Sequence, residues 1–217
     1  MTDDSVIDPS AAPRAVVFDF GGVIITPITF KLSELAGRHD TSVALLLEVL
    51  LGPRESGDHP WHRAERGEMA VADIQAELEP WARAAGLSLD GDEIDILLSP
   101  GYLIIQPMVD RIASLKAAGV RTALLTNTFA EFRPTMESDL DLTLFHSVIE
   151  SFAYGSRKPE PAIYEATART LGVAHSDIIY LDDFDQNLAP AQALGWATIH
   201  VIDHLTAIDQ LDDLLAG

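Results

Sequence analysis

The chain of 217 residues contains no cysteine. Disulfide bonds and thiolate-ligated zinc are therefore excluded. Basic residues are scarce: 14 Lys and Arg stand against 34 Asp and Glu, for a formal charge of −20. Nucleic acid is bound through patches of Lys and Arg, so it is not expected as a partner. The same deficit removes long-range steering of phosphorylated ligands. Any anion site must be local, built from a metal ion, backbone N–H groups and one or two cations. Only three lysines are present, Lys31, Lys116 and Lys158. No apolar run reaches the length of a membrane-spanning helix, and no membrane association is expected. Internal repeats and low-complexity segments are also missing. The opening MTDDSVIDPSAAPR is acidic and lacks the basic-then-apolar pattern of a signal peptide. It is expected to form a loose arm, and a cytoplasmic location is expected for the protein. Nothing in the sequence marks an oligomer interface.

What the chain does have is a globular share of apolar residues, 47%. Five apolar, β-branched runs recur: AVVFDF (15–20), RTALLTN (121–127), SVIES (147–151), DIIYLDD (177–183) and ATIHV (197–201). Near-continuous apolar character is expected of strands buried on both faces. Helical patterns separate them. Pro107 to Ala118 ends at Gly119, Pro161 to Leu171 at Gly172 and Asn187 to Leu194 at Gly195, each glycine suiting a helix C-terminus. A last helix is expected over Leu205 to Leu215. This alternation implies parallel strands joined by right-handed crossovers. Residues 28–104 break the rhythm. Helices are expected there over Thr41–Leu51, over Val71–Ala85 with a kink or break at Pro80, and over Leu89–Leu98, with GPRESGDHP (52–60) as a loop. The expected architecture is α/β: a Rossmann-like parallel-sheet core, residues 1–27 and 105–217, with an inserted helical cap, residues 28–104. Hinges are expected near Thr26-Pro27 and Ile105-Gln106-Pro107.

Ligands of open α/β sheets bind at the carboxyl ends of the strands. Asp19 ends the first run, Thr126 and Asn127 the second, and Asp182 and Asp183 the fourth. Lys158 follows the third on the loop GSRKPEP. Singly, each has a plainer reading. Asp19 could close a turn, Asp182-Asp183 could cap the next helix, and Lys158 could be a solvated surface lysine. Together they supply hard oxygen ligands for Mg²⁺ and donors for phosphate oxygens, the parts of a phosphoryl-transfer site.

The segments FDFGGVI, LLTNT, RKPEPAIY and YLDDFDQNLAPAQALGW resemble, in order, the four motifs of the haloacid dehalogenase-like superfamily. The nearest resemblance is to the phosphatase domain of soluble epoxide hydrolase and to related bacterial hydrolases. Residues 28–104 resemble, by position and helical character, a cap found between the first two motifs. The resemblance implies a Mg²⁺-dependent phosphatase acting on a small phosphorylated metabolite. Asp19 would be the nucleophile, forming an aspartyl-phosphate. Thr126, Asn127 and Lys158 would hold the phosphoryl oxygens. Asp19, Asp183 and the Gly21 carbonyl would ligate the metal, with Asp182 behind them and Asn187 orienting the loop. Gly21 departs from the pattern, because most phosphatases of the superfamily carry a second Asp there to protonate the leaving oxygen. Three readings follow. Another group supplies the proton, with His59, His62 and Glu68 of HPWHRAERGEM as candidates. Or the leaving group needs little protonation, as in sugar 1-phosphates and acyl phosphates. Or the protein only binds a phosphorylated ligand or a partner. Haloacid dehalogenation also needs no such acid and stands as an alternative. Phe30, Trp61 and Tyr102 are candidate substrate contacts that could equally be packing.

Overall fold

The computed structural model describes residues 15–53 and 57–216. The expected N-terminal arm, and residues 54–56 of the expected 52–60 loop, lie outside the described residues. The first strand, β1 (Ala15–Phe18), shows why the apolar runs fold as they do. All four of its residues are fully buried. Side chains alternate across a strand, so Val16 and Phe18 enter one core while Ala15 and Val17 enter another on the opposite face.

Between β1 and the next strand the chain forms helices α1 (Thr29–Arg38), α2 (Val43–Leu46), α3 (Pro60–Glu65), α4 (Val71–Ala84), α5 (Glu93–Leu98) and α6 (Gln106–Ala117). There follow β2 (Arg121–Thr126), α7 (Arg133–Asp139), β3 (Ser147–Glu150), α8 (Ser151–Tyr154), α9 (Pro161–Leu171), β4 (Ile178–Asp182), α10 (Asp185–Ala193), β5 (Ala197–His200) and α11 (His204–Ala216). The five strands form one parallel sheet in the order β3-β2-β1-β4-β5. One face packs on α6 and α11 through Met108, Ile112, Leu115, Ala207 and Leu211. The other packs on α9 and α10 through Ile163, Tyr164, Leu171, Leu188 and Ala191. This is the expected Rossmann-like parallel sheet, here flanked by helices on both faces.

Helices α1 to α5 bury a third core of their own, with Leu32, Leu35, Leu46, Leu50, Ile74 and Leu78 at its centre. The two chain segments that join it to the sheet run side by side. Thr26 N–H donates to the Leu103 carbonyl (2.9 Å) and Ile105 N–H to the Ile24 carbonyl (2.8 Å). The expected hinges flank this short antiparallel bridge. One residue of the sheet half belongs to the cap's core: Phe129, after β2, stands edge-on to Trp61 of α3 with ring centroids 4.9 Å apart.

Several expectations are corrected inside the insertion. The 71–85 helix does not break at Pro80. It runs unbroken over Val71–Ala84, because burial of Ile74, Leu78 and Ala82 on one stripe outweighs the single hydrogen bond that proline removes. The 41–51 helix is α2 followed by a π-helical turn, Leu47–Leu51. The helix expected from Leu89 starts only at Glu93, whose carboxylate instead accepts from Asp90 N–H (2.7 Å) and Gly91 N–H (3.0 Å). The sequence reading does not include α1 or α3. No side chain caps the start of α1, and the six residues of α3 are too few to show a period.

Candidate active site

Parallel register brings the chemistry to one rim. Phe18 lies level with Leu124 and Leu181, so Asp19 sits one step beyond, between β2 and β4. Asp19 N–H continues the ladder to the Leu181 carbonyl (2.9 Å). Its Oδ1 accepts from Phe20 N–H (2.6 Å) and meets Lys158 Nζ at 2.7 Å. Lys158 Nζ also meets Asp182 Oδ2 at 2.7 Å, and the side chain is only 1% exposed. Burial opposes its charge, but Asp182 and Asp19 outweigh burial and hold the ammonium above its usual range.

Asp182 has no capacity left. Its oxygens accept from Lys158, Tyr180 O–H, Phe184 N–H and Asn187 Nδ2. Asp183 is the opposite case: its Oδ1 is buried and lacks a hydrogen-bond partner. A Cβ on Gly22 (φ +73°) would fall 2.1 Å from Asp183 Oδ2, so only glycine lets the backbone approach this carboxylate. Oxygens of Asp19, Asp182 and Asp183 all lie within 4.8 Å of one another. Burial above all, then the neighbouring carboxylates, raises Asp183 to about 8. Burial likewise raises Asp19 to about 7, with Lys158 pulling it down and Asp182 pushing it up. Crowded, desolvated, oxygen-only donors with one oxygen orphaned fit a hard divalent cation such as Mg²⁺.

The sign of the pH effect follows. The folded chain keeps protons on Asp19 and Asp183 that the unfolded chain releases near pH 4, so their contribution to stability falls as pH rises from about 4 to about 8. A divalent cation replaces those protons. Magnesium at about a hundred times its dissociation constant is expected to raise Tm by roughly 5–10 °C at pH 8. At pH 5 the rise should be much smaller. Thermal melts at the two pH values test this, and equal shifts would refute the carboxylate site.

Asp19, Thr126, Lys158, Asp183 and the cap together border a cavity of about 520 Å³. Gly21, Asn127 and Asn187 also reach it, whereas Asp182 lies beneath. Asn187 ties its amide to Asp182 and takes Tyr164 O–H (2.7 Å) on its carbonyl. The Asn127 side chain is tied to the Lys158 main chain, accepting from its N–H (2.8 Å) and donating to its carbonyl (2.9 Å). It positions the lysine loop, and its amide keeps a second N–H donor at the border of the cavity.

The cap candidates separate. His62 borders the cavity, and burial, then Arg157 and His59, lower it to about 3. His59 is buried beside Gly52 and lowered to about 4, mainly by burial. Glu68 is bound to Arg66 (2.8 Å) and does not border the cavity. Trp61 does border it, with Nε1 donating to Glu65 (2.8 Å). Phe30 and Tyr102 do not, Phe30 being 55% exposed and Tyr102 O–H donating to the Leu97 carbonyl (2.9 Å). Sequence reading missed the buried pair of Arg157, from the lysine loop, with Glu65, from α3. With Arg66–Glu160 (3.1 Å), it joins cap to core. Nothing local in the sequence signals a pair 92 residues apart.

A family model of the haloacid dehalogenase-like hydrolases matches residues 13–195. The chain belongs to that family. Among curated relatives, mouse acyl-CoA dehydrogenase family member 10 is 32% identical over 93% of this chain and 19% of its own length. Rat bifunctional epoxide hydrolase 2 is 28% identical over 93% of this chain and 38% of its own length. This hydrolase thus spans about a fifth to two fifths of those relatives. A sesquiterpene phosphatase of Aspergillus oryzae is 27% identical over 93% of this chain and 96% of its own. Among solved structures, a haloacid dehalogenase-family enzyme of Bacteroides thetaiotaomicron, complexed with magnesium and inorganic phosphate, superimposes with a TM-score of 0.62 at 18% identity, over 86% of this chain and 93% of its own. The L-2-haloacid dehalogenase of Xanthobacter autotrophicus gives 0.63 at 19%, over 92% and 82%. At those identities the likeness is one of fold. Among the described residues no helix is long and apolar enough to cross a membrane.

Proposed function

We propose that this hydrolase is a Mg²⁺-dependent phosphatase of small phosphomonoesters, acting in the cytoplasm through an aspartyl-phosphate on Asp19. The observation that carries the reading is the carboxylate cluster itself: Asp19 beside a buried lysine, and Asp183 with an orphaned oxygen. Asp19, Asp183 and the Gly21 carbonyl would hold magnesium, which supplies charge neutralisation on the transferring phosphoryl group. Lys158 counters repulsion between the Asp19 carboxylate and the phosphate dianion, and Thr126 Oγ1 donates to a phosphoryl oxygen. Asp19 Oδ forms the new bond to phosphorus as the ester oxygen departs. Water then attacks the acyl phosphate and frees Asp19. The closed cap keeps bulk water out until the intermediate has formed.

Apolar side chains on the cap side, Ile28, Leu47, Leu51 and Trp61, favour a substrate with an apolar body. At about 520 Å³ the cavity has the size of a small-molecule site. The kinship with a sesquiterpene phosphatase supports that reading more than a very small polar substrate would. Hydrolysis of p-nitrophenyl phosphate tests the proposal. The expected result is activity that needs Mg²⁺ and falls by roughly 10⁴-fold or more in Asp19→Asn. Dehalogenation is the second reading, favoured by the bare Gly21. Chloride release from 2-chloropropionate without added metal, and no phosphatase activity, would establish it instead.

A further inference from the structure

Attack by Asp19 on phosphorus forms one P–O bond and breaks another, and the departing oxygen keeps the electron pair. Unless a proton reaches it, the leaving group departs as an anion. The titratable groups that border the cavity can each be followed. Asp19 is the nucleophile and reacts ionised. Asp183 faces the metal position. Lys158 is fixed between two carboxylates at 2.7 Å from each. Glu65 has both oxygens engaged, by Trp61 Nε1 and by Arg157. Arg157 does not give up a proton in proteins. His62, lowered by burial, stays neutral, and a neutral imidazole N–H is a very weak acid. Glu48 is exposed. At Gly21, a Cβ would meet no atom within 4 Å, so no neighbouring side chain fills that position. Among the described residues, none places an acid at the Gly21 position.

We propose that the site is specialised for phosphates whose leaving oxygen is already a stable anion: the esters of apolar phenols and enols, and the mixed anhydrides of apolar carboxylic acids. This rests on the phosphatase reading and narrows it. An alcohol oxygen, about as weakly acidic as water, cannot leave unaided at a useful rate. A phenol near 10 and a carboxyl near 4 can. The leaving anion takes its proton, where it needs one, from water after it has left. The second step needs no acid, since the group expelled from phosphorus is then the Asp19 carboxylate. The attacking water's proton passes to the released phosphate. The apolar stretch of the cap wall, Ile28, Leu47, Leu51 and Trp61, suits a ring or hydrocarbon body.

The test compares kcat/KM for benzoyl, p-nitrophenyl, phenyl and cyclohexyl phosphates, which share a six-membered ring but differ in oxygen acidity. The expected result is a steep fall along the series, at least roughly 10³-fold from p-nitrophenyl to cyclohexyl, the order that acid assistance is normally worth. The slope should be the same in His62→Gln and Glu48→Gln. A spread within about tenfold would overturn the proposal while leaving the phosphatase reading intact. So would a variant that lowers cyclohexyl phosphate hydrolysis alone, since that side chain would then be the missing acid. Hydrolysis of none of the four would overturn the phosphatase reading and this one together.

Discussion

Gly21→Asp is expected to raise the hydrolysis of alkyl phosphates by roughly 10²–10⁴-fold, the usual worth of a positioned general acid. The site is prepared for it. Gly21 borders the cavity, and a side chain there would enter open space. Its backbone is outside the left-handed region, unlike that of Gly22, so an L-residue is tolerated without strain. A carboxyl at this position would stand near Asp19 and Asp183, and like charges raise a carboxyl's affinity for its proton. It would therefore be protonated at the moment the leaving oxygen needs it. Replacing glycine also restricts the unfolded chain, so stability should hold or improve slightly. The gain should be largest for cyclohexyl phosphate and small for benzoyl phosphate. An equal gain on both, or none on either, would show that leaving-group departure does not limit this enzyme. Gly22→Asp is the contrasting position, where the new side chain would collide with Asp183.

Lys158→Ala is expected to cost both stability and activity. The ammonium is fully enclosed and touches Asp19 and Asp182 at the same distance. Removing one partner from a buried ion pair leaves an uncompensated charge and typically costs about 3–5 kcal/mol. For a domain of this size that corresponds to a Tm lower by roughly 10 °C or more. Without the ammonium Asp19 would hold its proton to still higher pH, which removes the nucleophile where the wild type works. Loss of the cation from the phosphoryl site adds a fall of about 10²–10³ in turnover. Magnesium should return part of the lost stability, since it brings positive charge back to the same carboxylates. Thermal melts with and without the metal separate the two effects. An unchanged Tm would mean that the pair does not form in solution.

Much of this site could be read from the sequence because its chemistry is local to the strands. Asp19, Thr126 and Asp182 each stand at the end of an apolar run, and a parallel sheet places such ends side by side whatever the loops do. Buried parallel strands need continuous apolar runs, which is why the five could be placed. The cap was less legible. Helix α1 starts without a capping side chain, α3 is six residues long, and Pro80 sits inside α4 without breaking it. What decides those elements is packing against one another, which one-dimensional pattern does not record. The Asn127 clamp on the lysine loop and the Arg157–Glu65 pair were invisible for the same reason.

Phe129 has a consequence for the pace of turnover. It is rooted in the sheet half yet buried in the cap's core against Trp61. If, as in the proposed mechanism, the cap lifts to admit substrate, this plug must be pulled, wetting two aromatic rings at about 1.5–3 kcal/mol for each one fully exposed. On that reading the open form is expected to be a minority species. For a substrate with a good leaving group, bond breaking is then expected to be faster than uncorking, and kcat values of such substrates are expected to converge on one ceiling set by the rate at which Phe129 comes free.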